Sequence, residues 1–260
     1  MRVGFAGVGA MGSALALSMV RRGALAGKDL HILEPSDANA EPVLRESGGL
    51  RVQNAAQLAA DCELIFLAVK PQQLPGLLSE LKGALSPATS LVSIAAGISI
   101  RRIQELCAPI QPAVARVMPN TPAQVGAGVS AVCFSEEVKT PAREAILKLL
   151  EATGRALVVE EKLMNAVTAV SGSGPAYVFL FIEALADAGV RHGLPRDTAL
   201  ALALETVRGA AELVKAGGVH PAVLRDRVCS PGGTTIAALE ALEEGGFRTA
   251  LYKAVAAAAR

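Results

Sequence analysis

Apolar positions in the first part of the chain gather into short continuous runs, and the stretches between them carry helical spacing. Residues 3–6, 30–33, 64–69, 91–94, 113–118, 129–134 and 156–159 read as strands, with a shorter one at 50–53. The longest run, 64–69, is apolar throughout and does not alternate with polar positions. That is what a strand needs when helices cover both faces of its sheet. The helices are marked at their ends. One opens at Ala10 and closes on Arg21-Arg22-Gly23, a basic last turn with a glycine cap. Pro35-Ser36 opens another over 37–46, and Asn54 caps one that reaches Ala60. Lys70-Pro71 precede a helix over 72–81, Ser99 caps one reaching Cys107, and a further helix spans 142–152. Repeated strand–helix units predict an α/β fold, a mainly parallel, doubly wound sheet.

Near Glu160 the pattern changes. From Lys162 onward only helical spacing remains, broken at 171–175, at Gly193-Leu194-Pro195, at Gly217-Gly218 with Pro221, and at 230–233. The change predicts two domains, 1–159 built on the sheet and 160–260 all helical. The helix over 175–190 is apolar on nearly every side, with Val178, Phe179, Leu180, Phe181, Ile182 and Leu185. A helix apolar all round must be buried all round. A helical domain of about a hundred residues has few places to do that, so the pattern predicts a partner subunit. Burial against the chain's own sheet domain is the alternative.

Composition narrows the partners. The 260 residues carry a formal charge of +1, with acids and bases mixed along the chain. Neither nucleic acid nor an anionic membrane surface is favoured by such a balance. No uninterrupted apolar run is long enough to span a bilayer. The run after Arg2, ending in Ala24-Leu25-Ala26, has some features of a secretory leader, but Gly4, Gly7, Gly9 and Gly12 interrupt its apolar core. Cys62, Cys107, Cys133 and Cys229 lie far apart and form no C-x-x-C, which fits idle thiols in a reducing cytoplasm.

Candidate chemistry begins in the first turn. Gly7, Gly9 and Gly12 have the G-x-G-x-x-G spacing between a strand and a helix. The first glycine permits a tight turn, the second lets a pyrophosphate approach the backbone, and the third lets helix and strand pack closely. A pyrophosphate held by Gly7, Val8, Gly9, Ala10, Met11 and Gly12 would meet free N–H groups and the positive end of the helix. Glu34 ends the next strand, where a carboxylate suits a ribose diol and repels a 2′-phosphate. Ligands of open α/β sheets sit outside the carboxyl ends of the strands. Three more ends carry small or turn residues suited to close contact: Ala68-Val69-Lys70-Pro71, Ala95-Ala96-Gly97 and Pro119-Asn120-Thr121-Pro122. Together they outline a groove for a dinucleotide, NADPH or NADH.

In the helical part, Ser230-Pro231-Gly232-Gly233-Thr234-Thr235 leads into a helix over 236–242. Glycines and small hydroxyl residues at a helix N-terminus form an anion site sized for a small carboxylate, here with Gly233, Thr234 and Thr235 as N–H donors. The usual acids and bases are scarce. His31 lies in a strand, His192 beside a helix-ending glycine, and His220 in a turn. Tyr177 sits on the apolar helix, and Glu183 and Asp187 are one helical turn apart. No nucleophile–base constellation or metal cluster emerges. Oxidising an alcohol needs a base for the hydroxyl proton. Reducing an imine that arrives protonated needs mainly a hydride and a held substrate.

Taken together the motifs resemble the pyrroline-5-carboxylate reductase family. They are G-F-A-G-V-G-A-M-G at 4–12, A-V-K-P at 68–71, S-I-A-A-G at 93–97, M-P-N-T-P at 118–122, S-G-S-G-P-A-Y at 171–177 and S-P-G-G-T-T at 230–235. The resemblance spans nearly the whole chain. It implies a Rossmann domain with a helical dimerisation domain, in the arrangement of 6-phosphogluconate dehydrogenase. It also implies homodimers that commonly assemble into decamers, and a site completed by helices from across the dimer. The implied activity is reduction of L-1-pyrroline-5-carboxylate to L-proline with NAD(P)H, the last step of proline biosynthesis. By the resemblance, Asn54, Ala68, Val69, Lys70, Pro71, Ala95, Ala96 and Gly97 contact the cofactor. Ser230, Gly232, Gly233, Thr234 and Thr235 hold the substrate, Thr235 serves the ring nitrogen, and Glu161 matches an acid near the substrate. Glu34 departs from the pattern, since relatives often carry a small hydroxyl residue there and prefer NADPH; no Arg immediately follows it. A β-hydroxyacid dehydrogenase would share the architecture, but its lysine is missing, with Val178 in that place. Retention of both the cofactor motif and 230–235 argues against a non-catalytic, cofactor-binding regulator.

Overall fold

The structure is a computed structural model and describes residues 1–259. By packing, the chain divides into two compact units, Met1–Gly172 and Ser173–Arg260.

The first unit is α/β. It runs β1 (Val3–Ala6), α1 (Ala10–Arg21), β2 (Leu30–Leu33), α2 (Asp37–Ser47), β3 (Leu50–Arg51), α3 (Ala55–Asp61), β4 (Leu64–Leu67) and α4 (Leu74–Leu81). It continues through β5 (Ser90–Ser93), α5 (Ile100–Cys107), β6 (Ala113–Met118), β7 (Gly128–Phe134), α6 (Thr140–Glu151), β8 (Gly154–Val158) and α7 (Met164–Val167). The strands form one eight-stranded sheet in the order β3-β2-β1-β4-β5-β6-β7-β8. The chain winds outward from β1 to β3, returns to β4 beside β1, and winds outward the other way. This is the doubly wound sheet that the strand–helix pattern predicts. The pairings are parallel except β6 with β7. The 3₁₀ turn Thr121–Val125 joins those two strands directly, and so short a connection cannot make the crossover a parallel pair needs.

Alternate side chains of the strands go to opposite faces. Phe5 and Phe66 stack with ring centroids 4.5 Å apart on one face, above Leu15, Met19 and Leu150. Ile65, Leu67, Leu78, Leu91 and Ile103 pack on the other. Burying each such side chain contributes about 1.5–3 kcal/mol, and both faces need it, which is why the strands read as continuous apolar runs. β4 stops at Leu67, earlier than the run to Val69 suggests, because its last registered partner on β1 is Ala6. β8 starts earlier than expected, at Gly154, which pairs with Gly128. Gly154 has φ +143°, and a Cβ there would run into the Gly128 backbone. Cys62, Cys107 and Cys133 are buried and free. Burial pushes the Cys62 thiol up to about 12 and the Cys133 thiol up to about 11.

The packing divides the chain later than the change of pattern at Glu160. Met164 joins the second core face and Ala169 is buried. A π-helical turn, Thr168–Gly172, follows α7, and Gly172 lies close against Met118 at the end of β6.

The second unit is helical: α8 (Gly174–Arg191), α9 (Arg196–Gly217), α10 (Pro221–Val228), α11 (Thr234–Glu244) and α12 (Phe247–Ala258). Ala186 of α8 is buried against Ala199 and Ala203 of α9. Phe179 and Leu180 are 61% and 66% exposed. One helical path, Glu161–Arg191, is 31 residues long and by length and composition alone could cross a membrane. Its apolar positions are interrupted at 171–175, so it is not one continuous apolar run. The Gly-Ser stretch at 171–175 reads as a helix break, and the break falls at Ser173, between the π turn and α8.

Candidate active site

The glycine turn after β1 shows which of its residues the fold requires. Gly7 has φ +93°, and a Cβ on it would press on the Ala68 carbonyl at 2.8 Å. A Cβ on Gly12 would collide with the Gly7 carbonyl. Gly9 differs. Its φ of −62° and ψ of −167° suit any residue, and nothing lies within 4 Å of where its Cβ would be. The fold therefore does not need glycine at 9; the space above it suits a ligand. Gly9 is also the N-cap of α1, whose first turn has no side-chain cap and no acid. The first N–H groups of a helix have no partner within it, so Ala10, Met11 and Gly12 present free donors beside that space. A pyrophosphate fits there.

Glu34 is bent back onto this turn. Its Oε2 accepts from the Val8 N–H at 3.0 Å, and its Oε1 accepts from the Ser36 N–H at 3.0 Å. Gly7, Gly9, Glu34, Ala68, Val69 and Lys70 line one cleft of about 640 Å³. Asn39, Gln73 and Glu80 line it too and were not legible as site residues, because Asn39 follows β2 while Gln73 and Glu80 follow β4, and only the pairing of both strands with β1 brings them to one cleft. Pro71 opens the short 3₁₀ turn Pro71–Gln73 that places Gln73, whose Oε1 accepts from the Lys70 N–H at 3.3 Å.

The other strand ends are occupied in differing ways. Asn54 caps α3 as its position predicts, its Oδ1 accepting from the Gln57 N–H at 2.9 Å, which leaves its amide donors free of that bond. Asn120 is buried, and its Oδ1 accepts from the Val129 N–H at 2.9 Å, holding the corner between β6 and β7. Ala95 is buried, while Ala96 and Gly97 are exposed after β5; none of the three lines the 640 Å³ cleft. Glu161 is held at the start of α5. Its Oε1 accepts from the Ile100 N–H at 2.8 Å and from Arg116 Nη1 at 3.1 Å. Arg116 was not singled out from the sequence, although a lone charge inside an apolar strand is the signal that could have found it.

In the helical unit, Gly232 has φ +67° and the Gly233 N–H donates to the Ser230 carbonyl at 3.0 Å. That donor is thus used in closing the turn. α11 starts at Thr234, earlier than the reading of 236, with Gly233 as N-cap and no acid in its first turn. The free donors are those of Thr234 and Thr235. Beside them a groove of about 910 Å³ is lined by Gly232, Gly233, Ile236, Phe247, Leu251 and Tyr252. Two of the remaining titratable candidates have structural work. His220 Nδ1 accepts from the Ala222 N–H at the start of α10, Asp187 pairs with Arg196, and His192 gives its backbone N–H to the last carbonyls of α8. His31 is buried, 3.9 Å from Asp61. No group of three or more His, Cys, Asp or Glu among the described residues could hold a metal.

Residues 161–260 match the family model for pyrroline-5-carboxylate reductase dimerisation. Residues 2–97 match the model described as NADP oxidoreductase, coenzyme F420-dependent. The pyrroline-5-carboxylate reductase of Arabidopsis thaliana is 42% identical over 259 residues, covering 100% of this chain and 93% of that one. The chain belongs to the pyrroline-5-carboxylate reductase family. The Synechocystis member is 44% identical over 261 residues, covering 100% of this chain and 96% of that one. Among solved structures, Plasmodium falciparum pyrroline carboxylate reductase with NADP bound superposes with a TM-score of 0.90 at 35% identity, covering 100% of this chain and 95% of that one. The chain is accordingly an oxidoreductase with a Rossmann sheet and a helical part of the family's dimerisation type, built for self-association.

Proposed function

We propose that the chain reduces L-1-pyrroline-5-carboxylate to L-proline with NADPH or NADH, as the last step of proline biosynthesis. The observation that carries this reading is the open space at Gly9, where the backbone tolerates a side chain and nothing of the described chain fills the room. A bound nicotinamide dinucleotide supplies hydride. The N–H groups at the start of α1 take its pyrophosphate, and Glu34, Asn54, Lys70, Pro71, the 95–97 turn and Asn120 border the rest of it. Glu161 positions the start of α5, and with it the 95–99 loop.

In the helical part, the Thr234 and Thr235 N–H groups hold the substrate carboxylate, with Ser230, Gly232 and Gly233 shaping the turn. The Thr235 hydroxyl follows the ring nitrogen as it changes from protonated imine to amine. Protonated imine plus hydride already balances to the amine, so the protein supplies no proton and needs no strong base. This agrees with the structural use of the His220 ring, whose Nδ1 accepts from the Ala222 N–H.

Function divides near 159, with cofactor binding before it and substrate binding and dimerisation over 160–260. A second copy of the chain covers the apolar α8 and completes the site, in homodimers that assemble further into decamers. The protein works in the cytoplasm, without nucleic-acid or membrane partners. The test is an assay of the purified protein with pyrroline carboxylate and each cofactor, read by nicotinamide absorbance. Absence of turnover with both would refute the reading.

A further inference from the structure

Beside the cleft, which Lys70 already lines, stands a second cation that the sequence does not place there. Arg51 lies 17 residues from Glu34 along the chain. The pairing of β2 with β3 sets Ile32 beside Arg51 and brings its guanidinium to the end of β2. There Nη2 donates to the Glu34 carbonyl at 2.8 Å and to the Pro35 carbonyl at 3.3 Å, and Nη1 donates to Asp37 Oδ1 at 2.6 Å. Glu34 and Pro35 both line the dinucleotide cleft.

The end of the second strand is where a dinucleotide's adenosine ribose lies, and an acid or a nearby Arg there decides between a 2′-hydroxyl and a 2′-phosphate. Here both charges are present. Glu34 cannot swing away cheaply, because each of its oxygens accepts from a backbone N–H. The Nη1 end of Arg51 can be redirected while Nη2 keeps the Glu34 and Pro35 carbonyls. Its partner Asp37 is 70% exposed, and an exposed ion pair is easily exchanged for a better one. A phosphate offers two oxygens to the guanidinium fork, which a single Asp37 oxygen does not match.

We infer that Arg51 is the residue through which this chain accepts the 2′-phosphate of NADPH, and that Asp37 competes with the phosphate for it. With Glu34, Asp37 and Glu80 negative and Lys70 and Arg51 positive, the balance around the cleft is one negative charge. NADH is therefore bound readily and NADPH is bound only because Arg51 turns from Asp37 to the phosphate. The inference rests on the dinucleotide reading of the cleft and adds its specificity.

The test is equilibrium binding, by calorimetry or cofactor fluorescence, with no imine present. The probes are NADPH, NADH, 2′-phospho-AMP and AMP. Arg51→Ala is expected to weaken NADPH and 2′-phospho-AMP about tenfold or more, the scale of one charge-assisted contact, while NADH and AMP change by less than about threefold. Asp37→Asn is expected to tighten the two phosphorylated probes about three- to tenfold and leave the others. Arg51→Lys, which keeps the charge and loses the fork, should fall between parent and Ala; it and Asp37→Asn carry the test if Arg51→Ala does not fold. Equal losses for phosphorylated and unphosphorylated probes, or no change in either, would overturn the inference and leave Arg51 as a brace for β3. A parent protein that binds neither NADH nor NADPH would overturn the dinucleotide reading itself.

Discussion

Three side-chain positions carry most of what can be tested one residue at a time. Gly9→Val is expected to fold, since its backbone angles and the empty space around it accept a side chain, and to lose most dinucleotide affinity. Titration of the folded variant decides; unchanged affinity would make the turn purely structural. Gly7 would behave differently, because a side chain there meets positive φ and the Ala68 carbonyl together. Glu34→Ser removes a fixed carboxylate beside the ribose and should raise the NADPH-to-NADH ratio of kcat/KM by about tenfold or more, the scale of one like-charge contact in a partly screened site. It also removes two bonds to backbone N–H groups, so a drop in Tm should accompany the shift. An unmoved ratio would mean that Glu34 serves the turn alone. Thr235→Ala should lower kcat/KM for pyrroline carboxylate roughly ten- to several-hundred-fold, the cost of a lost hydrogen bond and misplacement, with cofactor affinity nearly unchanged. Thr235→Ser should recover much of it. Full activity in the Ala variant would leave positioning to the backbone donors of Thr234 and Thr235.

At the scale of elements, strand and helix identities were legible because apolar runs and caps are local signals. Ser99 and Asn54 cap their helices as read, accepting from the Arg102 and Gln57 N–H groups. What escaped were contacts made between elements. Glu161 shows this best. From its sequence neighbours it is one acid among several, yet it joins the start of α5 to Arg116 of β6. The Arg116 side chain is 11% exposed, so Glu161→Gln leaves a largely buried cation without its counter-charge. The expected cost is about 1–3 kcal/mol of stability in a denaturant titration. Unaltered stability with a raised KM for the imine would instead place the carboxylate on the substrate. Arg51 escaped for the same reason, since only the register of β2 with β3 brings it to Glu34.

For the whole molecule, the exposed faces of α8 and α9 matter most. Phe179, Leu180, Leu202 and Leu213 stand at 61%, 66%, 53% and 58% exposure, far more apolar surface than a lone helical unit leaves uncovered. The expected species is an obligate dimer built on residues from Lys162 onward, and light scattering on dilute protein checks it. A stable, fully active monomer would rule it out. The sequence by itself determined the doubly wound sheet, the glycine turn and the apolar helix, because each is written in the spacing of neighbouring residues and follows from local burial and backbone sterics. The tertiary structure alone decided that Gly9 faces open space while Gly7 and Gly12 do not, that Gly233 uses its N–H within its own turn, that a π turn precedes the break at Ser173, and that Arg51 and Arg116 meet the Glu34 carbonyl and the Glu161 carboxylate. Those facts depend on which strand lies beside which and in what register, and distances between chain segments far apart in sequence are set only when the sheet closes its pairings.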